Sequence, residues 1–165
     1  MSTEATLIFP ELLYFTDYNG NFAEYFKAVY AVFVNEFIKS QPNYNNLKVS
    51  APKYPLQDGI HRTFYHITHE GEDEQDRKPD IRRMERIRFP RYIIDTCPHN
   101  QLLVWEKKIG HDIRIHILNE TEQYLVVLTR RDSYLLLWTA FFIERKHTVR
   151  KKRKEYEAYI KTKTA

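Results

Sequence analysis

Residues 101–143 read QLLVWEKKIGHDIRIHILNETEQYLVVLTRRDSYLLLWTAFFI. Four runs stand out, QLLVWEKK, DIRIHIL, QYLVVLT and YLLLWTAFFI, parted by the short polar links IGH, NETE and RRDS. Strand-length runs on links this short pair with their sequence neighbours, which predicts an antiparallel meander of four strands. In DIRIHIL the residues Ile113, Ile115 and Ile117 share one face while Arg114 and His116 share the other. The last run is apolar on both faces, as an interior strand is.

On the N-terminal side, residues 1–20 read as a tail and a turn, broken at DYNGN. Asn21 and Glu24 have capping-box spacing. Phe22, Phe26, Val29, Tyr30, Phe33 and Phe37 then recur at steps of three and four, which predicts an amphipathic helix over 22–39. Residues 41–60 carry Pro42, Pro52 and Pro55 and read as a loop. HRTFYHIT reads as a strand, HEGEDEQDRKPD as a solvated acidic loop, and ERIRFPRYIID as a second strand or extended segment with Pro90 at an edge or bend. The end, RKHTVRKKRKEYEAYIKTKT, places Val149, Tyr156, Tyr159 and Ile160 on one broad stripe and reads as a basic helix or tail. The expectation is a single α+β domain over 1–165. Helix and loop fill 21–60, the N-terminal helix packs on a curved antiparallel sheet of about four to six strands within 61–144, and the basic segment spans 145–165.

The 165 residues include 12 Tyr, 10 Phe and 2 Trp against 4 Gly, a globular composition. Cys97 is the single cysteine, which excludes an intrachain disulfide framework or thiolate cluster and points to a reducing, cytoplasmic setting. Beside Pro98 it reads as an inert thiol. No signal-peptide pattern opens the chain, and no apolar run approaches the roughly 20 residues of a membrane span. The net charge is +4, but residues 140–165 alone carry +6 and the first 139 carry −2. Such asymmetry favours a polyanionic partner.

The segments TFYHIT with its acidic loop, KPDIRRMERIRFPRYII, and YLVVLTRRDSYLLLWTAFFI followed by VRKKRKEYEAY resemble, in kind and order, a phage-associated group of barnase, EndoU, colicin and RelE-like nucleases. The resemblance covers residues 54–158. It implies a curved antiparallel sheet packed on N-terminal helices. It also implies a metal-independent endoribonuclease, a toxin or a phage or mobile-element product, with RNA as substrate and an acidic antitoxin or immunity protein as a possible partner. Site residues differ widely across that group, from His with Glu to sets of Arg, Lys and Tyr, so no one set carries over.

Metal-free RNA cleavage needs a base for the 2′-hydroxyl, an acid for the leaving 5′-oxygen, and cations on the phosphoryl oxygens. Histidine suits the proton roles and arginine the phosphate. On a strand, His66 shares a face with Arg62, Phe64 and Thr68 while Tyr65 and Ile67 point the other way, so Arg62 and His66 are close enough to share a phosphate; the bland alternative is a hydrogen-bonded strand histidine. Glu85 among Arg82, Arg83, Arg86 and Arg88 is either a carboxylate base held beside a phosphate-binding Arg86 or one half of structural ion pairs. His116 beside Arg114 either lines a cleft or faces solvent. Thr139, a hydroxyl inside LLLWTAFF, needs a partner and is either a candidate to hold phosphate or anchor an arginine or a plain strand threonine; Trp138 reads as core, with stacking on a base as its role if exposed. His147 with Arg145, Arg150, Lys152 and Arg153 forms the densest basic patch, and Arg131 is a further phosphate candidate. Catalysis is thus expected from His66, Glu85, Arg86, Thr139 and His147, with His66 a proton-transfer group and Glu85 or His147 its complement. Phosphate or RNA binding is expected from Arg62, Arg82, Arg131, Arg145, Arg150, Lys152 and Arg153.

Glycine-rich phosphate loops, HExxH and Gly-x-Ser-x-Gly motifs are absent, so neither a cofactor nor a metal ligand set is expected. The competing class is a non-catalytic nucleic-acid-binding or protein-interaction module, which needs the basic C-terminal patch alone.

Overall fold

The computed structural model describes residues 5–73 and 76–164. The first four positions of the expected tail and positions 74–75 of the acidic run lie outside the described residues.

The first long helix follows its sequence signals. Asn21 caps α1 (Phe22–Phe33), its side chain accepting from the Glu24 amide at 3.2 Å. The helix runs on through a wide π-type turn, Val34–Ile38. Tyr25, Val29, Phe33 and Phe37 form its buried stripe.

The meander forms as its runs and links dictate: β5 (Leu103–Ile109), β6 (Asp112–Asn119), β7 (Tyr124–Arg130) and β8 (Leu135–Phe142) pair antiparallel in sequence order. A hairpin ahead of it, β1 (Asn43–Tyr44) and β2 (Leu47–Ser50), turns on Asn45 and Asn46 at φ 49° and 66°, the conformation of a tight hairpin turn. β2 then pairs parallel to β8 through Val49 and Ser50. The curled six-stranded sheet has the order β1-β2-β8-β7-β6-β5, so β8 is interior as its two apolar faces required. β2 stops at Ser50 and leaves the remainder of β8 beyond its reach.

A helix fills that gap. The segment Arg62–Thr68, expected as a strand, is helix α2 and packs against β8. Thr, Phe, Tyr and Ile favour strands on propensity alone, yet the residues buried are Thr63, Phe64, Ile67 and Thr68, a one-turn repeat. Phe64 has no exposed surface, and its ring lies 4.9–5.5 Å from those of Phe26, Tyr30 and Phe33. Burial of this helical stripe outweighs the local preference. A short two-stranded ribbon follows, β3 (His69–Glu70) with β4 (Lys78–Pro79).

The second expected strand is also helical: α3 (Ile81–Glu85) and α4 (Phe89–Thr96). Asp80 caps α3, accepting from the Arg83 amide at 3.3 Å. Pro90 falls in the first turn of α4, where its missing N–H costs nothing. The apparent tail is strapped down as well. Leu13 donates to the Glu85 carbonyl at 2.9 Å and Ile8 to the Tyr92 hydroxyl at 3.1 Å, while Phe9 lies against Phe89 and Tyr92.

The helices α1 to α4 cover one face of the sheet and enclose the larger core. On the other face Trp105, Leu118, Leu125 and Val127 pack beneath the basic helix α5 (Lys146–Thr164), through Val149, Tyr156 and Tyr159. Among the described residues no helix is long and apolar enough to cross a membrane.

Candidate functional site: a cationic cavity at the open edge of β8

The N-terminus of α2 is held by the preceding loop. The Arg62 amide donates to the Lys53 carbonyl at 3.1 Å, and the Thr63 hydroxyl donates to the Pro52 carbonyl at 2.8 Å. Asp58 and Gly59, both at positive φ, return the loop at the Gln57–Ile60 bridge. Between this loop and α2 lies a cavity of about 300 Å³, lined by Pro55, Leu56, Gln57, Arg62, Tyr65, His66 and Arg77. A second, smaller cavity of about 60 Å³ adjoins it, bounded by Pro52, Thr63, Leu137 and Trp138 and again by Arg62 and His66.

The C-terminal end of α2 is fixed by two guanidinium groups. Arg77 donates to the His66 and His69 carbonyls at 3.3 and 3.4 Å, and Arg83 donates to the His69 carbonyl at 2.9 Å. Cations at a helix C-terminus satisfy carbonyls that lack intrahelical partners and complement the dipole. Arg77 therefore serves both as a brace for α2 and as a wall of the larger cavity. Burial, then the nearby Asp58 carboxylate, raises the Tyr65 phenol, so its hydroxyl stays protonated at neutral pH. The site thus presents Arg62, Arg77, His66 and a phenolic donor to one space.

Trp138 enters through a defect in the sheet. The β7–β8 register shifts so that Val127 faces Thr139 while Leu128 faces Leu137, which leaves Trp138 as the extra residue of a bulge. The indole, expected in the core, is 40% exposed. The Arg114 guanidinium sits over its ring, 4.2 Å from the centroid.

Of the residues expected to act together, Arg62 and His66 converge and the rest do not join them. Arg82 and Arg86 stack on Phe142 at 5.9 and 4.3 Å, and Arg86 donates to the Arg82 carbonyl at 3.0 Å. Glu85 is half-buried, raised by burial against the pull of Arg86 and Arg82, and its carbonyl holds the N-terminal segment; it lines neither cavity. Arg82 also pairs with Glu144 at 3.4 Å. Thr139 is half-buried opposite Val127 and lines neither cavity.

His147 and Arg145 are exposed at the start of α5. Arg150 borders a separate surface hollow with Lys146 and Glu120. Lys152 bonds Glu155 at 3.4 Å, and Arg153 pairs with both Glu120 and Glu157. Arg131 pairs with Asp112 at 3.5 Å on the β7–β8 turn. These ion pairs are local surface contacts, worth little individually.

His116 neither lines a cleft nor faces solvent. It is 6% exposed, stacked on Trp105 with ring centroids 5.1 Å apart, beneath α5. Burial, then Lys152, pushes it down to about 4. Cys97 is pushed up to about 11, mainly by burial, as an inert thiol would be. Among the described residues no group of three or more His, Cys, Asp or Glu is placed to hold a metal ion.

Arg77 and Tyr65 are the site residues that the sequence reading missed: a strand turns Tyr65 away from His66 where the helix brings the two together, and Arg77, beyond the acidic run, carried no signal. Trp138 was placed in the core, with base stacking as its role if exposed, and it is exposed. No family model, no curated protein and no solved structure matches the chain.

Proposed function

We propose that the chain is a metal-independent endoribonuclease, of the barnase- and RelE-like kind that the sequence resembles, with its reaction centre in the cavity beside α2. One observation carries this reading: Arg62, Tyr65, His66 and Arg77, drawn from two separate segments, line one cavity of about 300 Å³. That volume is at the lower end of the range for small-molecule sites. In this reading the His66 imidazole removes the proton of the substrate's 2′-hydroxyl. The 2′-oxygen attacks phosphorus, the bond from phosphorus to the 5′-oxygen breaks, and the Tyr65 hydroxyl protonates the departing oxygen. The products are a 2′,3′-cyclic phosphate and a free 5′-hydroxyl. Arg62 and Arg77 hold the non-bridging oxygens, where charge builds. Tyr65 thereby takes the role that the sequence assigned to Glu85 or His147.

Labelled RNA incubated with the pure protein in EDTA tests the proposal. Cleavage to cyclic-phosphate ends is expected, falling roughly 10²- to 10⁴-fold in His66→Ala. Intact RNA throughout, or equal cleavage by the variant, refutes it.

A second reading draws support from the separation of Glu85, Thr139 and His147 from the cavity. It is a non-catalytic nucleic-acid-binding module that uses the exposed basic side of α5. Binding that survives Arg62→Ala and His66→Ala, and is lost when residues 150–154 are neutralised, supports it. In either reading an acidic inhibitor, such as an antitoxin or immunity protein, would find its complement in the same cations.

A further inference from the structure

We propose that the ligand is single-stranded RNA, gripped as one dinucleotide step: a phosphate on Arg62 and His66, one base in the larger cavity, and the neighbouring base stacked on Trp138. The inference rests on the cavity being the RNA site proposed above.

Among the described residues Arg62 and His66 alone are common to the two cavities, so they form the ridge between them. They stand four residues apart on α2, one turn, and point to the same side. A phosphodiester on that ridge has a base site on either hand. On one side Pro55, Leu56 and Gln57 offer apolar and hydrogen-bonding surface. On the other, Trp138 stands with Pro52 and Leu137. The spacing matches the chemistry of the polymer, in which each bridging phosphate has one nucleoside before it and one after.

Leu135 and Leu137 face the larger core, so alternation along β8 puts Trp138 on the opposite face, where it lies beside the bulge and remains 40% exposed. Arg114 at 4.2 Å holds the ring from one side and adds a positive charge near the strand path. A rigid, part-exposed indole backed by a guanidinium is a stacking platform for any base, because every base has a π face. In a duplex, adjacent bases stack on each other and are paired, so they cannot splay to either side of a ridge. Unpaired strands and loops can.

Tryptophan emission supplies the assay. Trp105 is 1% exposed and its indole N–H donates to Glu155 at 3.2 Å, so a ligand-induced quench reports Trp138. The probe is a 2′-O-methyl adenosine tetranucleotide, which lacks the attacking hydroxyl and stays intact. It should quench the emission. Trp138→Leu should abolish the quench and weaken binding of a fluorescein-labelled copy about 5- to 150-fold, the range of one lost base stack. Trp138→Phe should retain most of the affinity. Inorganic phosphate should displace the probe from wild type without itself quenching. A thermal melt of each variant confirms the fold.

Absence of a quench, unchanged affinity in Trp138→Leu, or equal binding of a paired 2′-O-methyl duplex overturns the inference. The two proposals fail separately. Cleavage that needs His66 but is indifferent to Trp138 removes the stacking site and leaves the ribonuclease. A Trp138-dependent quench without cleavage of ordinary RNA removes the ribonuclease and leaves the stacking site.

Discussion

His116→Phe should blunt the acid sensitivity of the fold. The imidazole is 6% exposed, stacked on Trp105 with the rings 23° from parallel, and its Nδ1 is buried without a hydrogen-bond partner. Burial is the main cause that holds it at about 4 against an ordinary 6.5; the Lys152 and Lys107 cations add to this, while Glu155 and a backbone bond at Arg114 oppose it. Between those two values the unfolded chain binds a proton that the folded chain refuses. The stabilising contribution is therefore complete above pH 6.5 and is lost as pH falls towards 4. Integrated from pH 7 to pH 5, one such histidine removes about 2 kcal/mol. His69, 5% exposed, is pushed down to about 4 in the same way, by burial and then Arg77 and Arg83, and acts in the same window.

Phenylalanine keeps the stack on Trp105 and takes no proton. Urea unfolding at pH 7 and at pH 5, followed by far-ultraviolet circular dichroism, measures the effect. At pH 7 the variant should match wild type within about 1 kcal/mol, since an unbonded buried nitrogen is removed. At pH 5 it should exceed wild type by about a further 2 kcal/mol. Carboxylates elsewhere titrate alike in both proteins and cancel in the difference. Equal losses in the two proteins between pH 7 and pH 5 would falsify the assignment of His116 as a buried neutral imidazole.

Phe64→Ala should destabilise by about 3–5 kcal/mol, because the deleted ring is the anchor of α2 among Phe26, Tyr30 and Phe33; calorimetry should show the melting temperature down by roughly 10 °C. Glu36 is pushed up to about 7 by burial, against Arg91 and Arg88, so its ionised form costs stability as pH rises from 4.5 through 7. Glu36→Gln should gain on wild type across that window in thermal melts, and a gain that shrinks with rising pH sinks the reasoning. Cys97, half-buried and pushed up to about 11, should react with a disulfide reagent at pH 8 far more slowly in the native protein than in urea; equal rates refute its burial. Neutralising Arg150, Lys151 and Lys154 should lower the slope of log affinity for single-stranded RNA against log salt by about 0.7 for each cation that contacts phosphate. An unchanged slope removes α5 from the interface.

The meander was legible because its strands are long, its links are short and polar, and its partners are sequence neighbours. The first helix was legible because Asn21 and an aromatic stripe agree on it. The hairpin at Asn45 and Asn46 was not read, though two asparagines before LKVS are a turn signal. Its parallel pairing with β8 joins residues 49 and 135 and left no local trace. The helices α2 to α4 were misread for two physical reasons. Arg62–Thr68 is built from β-favouring side chains and becomes helical only because a large aromatic core accepts one of its faces. Pro90 signals an edge strand or a helix start equally well until its neighbours are seen. The buried His116 was placed on the right face of β6, but nothing in the sequence says that α5 covers that face.

The pair Arg62 and His66 survived the wrong secondary structure for a geometric reason. An offset of four is even, so it keeps two side chains on one face of a strand, and it is close to one turn, so it keeps them on one face of a helix. Offsets of one and two carry no such protection. Phe64 was expected beside Arg62 on the polar face and is instead buried in the core. Tyr65 was expected to point away from His66 and instead lines the same cavity. The same rule places Arg86 on Arg82, whose carbonyl it meets at 3.0 Å, although the segment is helical rather than extended. A candidate site read from sequence is therefore firm at spacings of four and fragile at spacings of two. In this protein the difference brings the phenol next in the chain, rather than the distant Glu85 or His147, beside His66 in the proposed reaction.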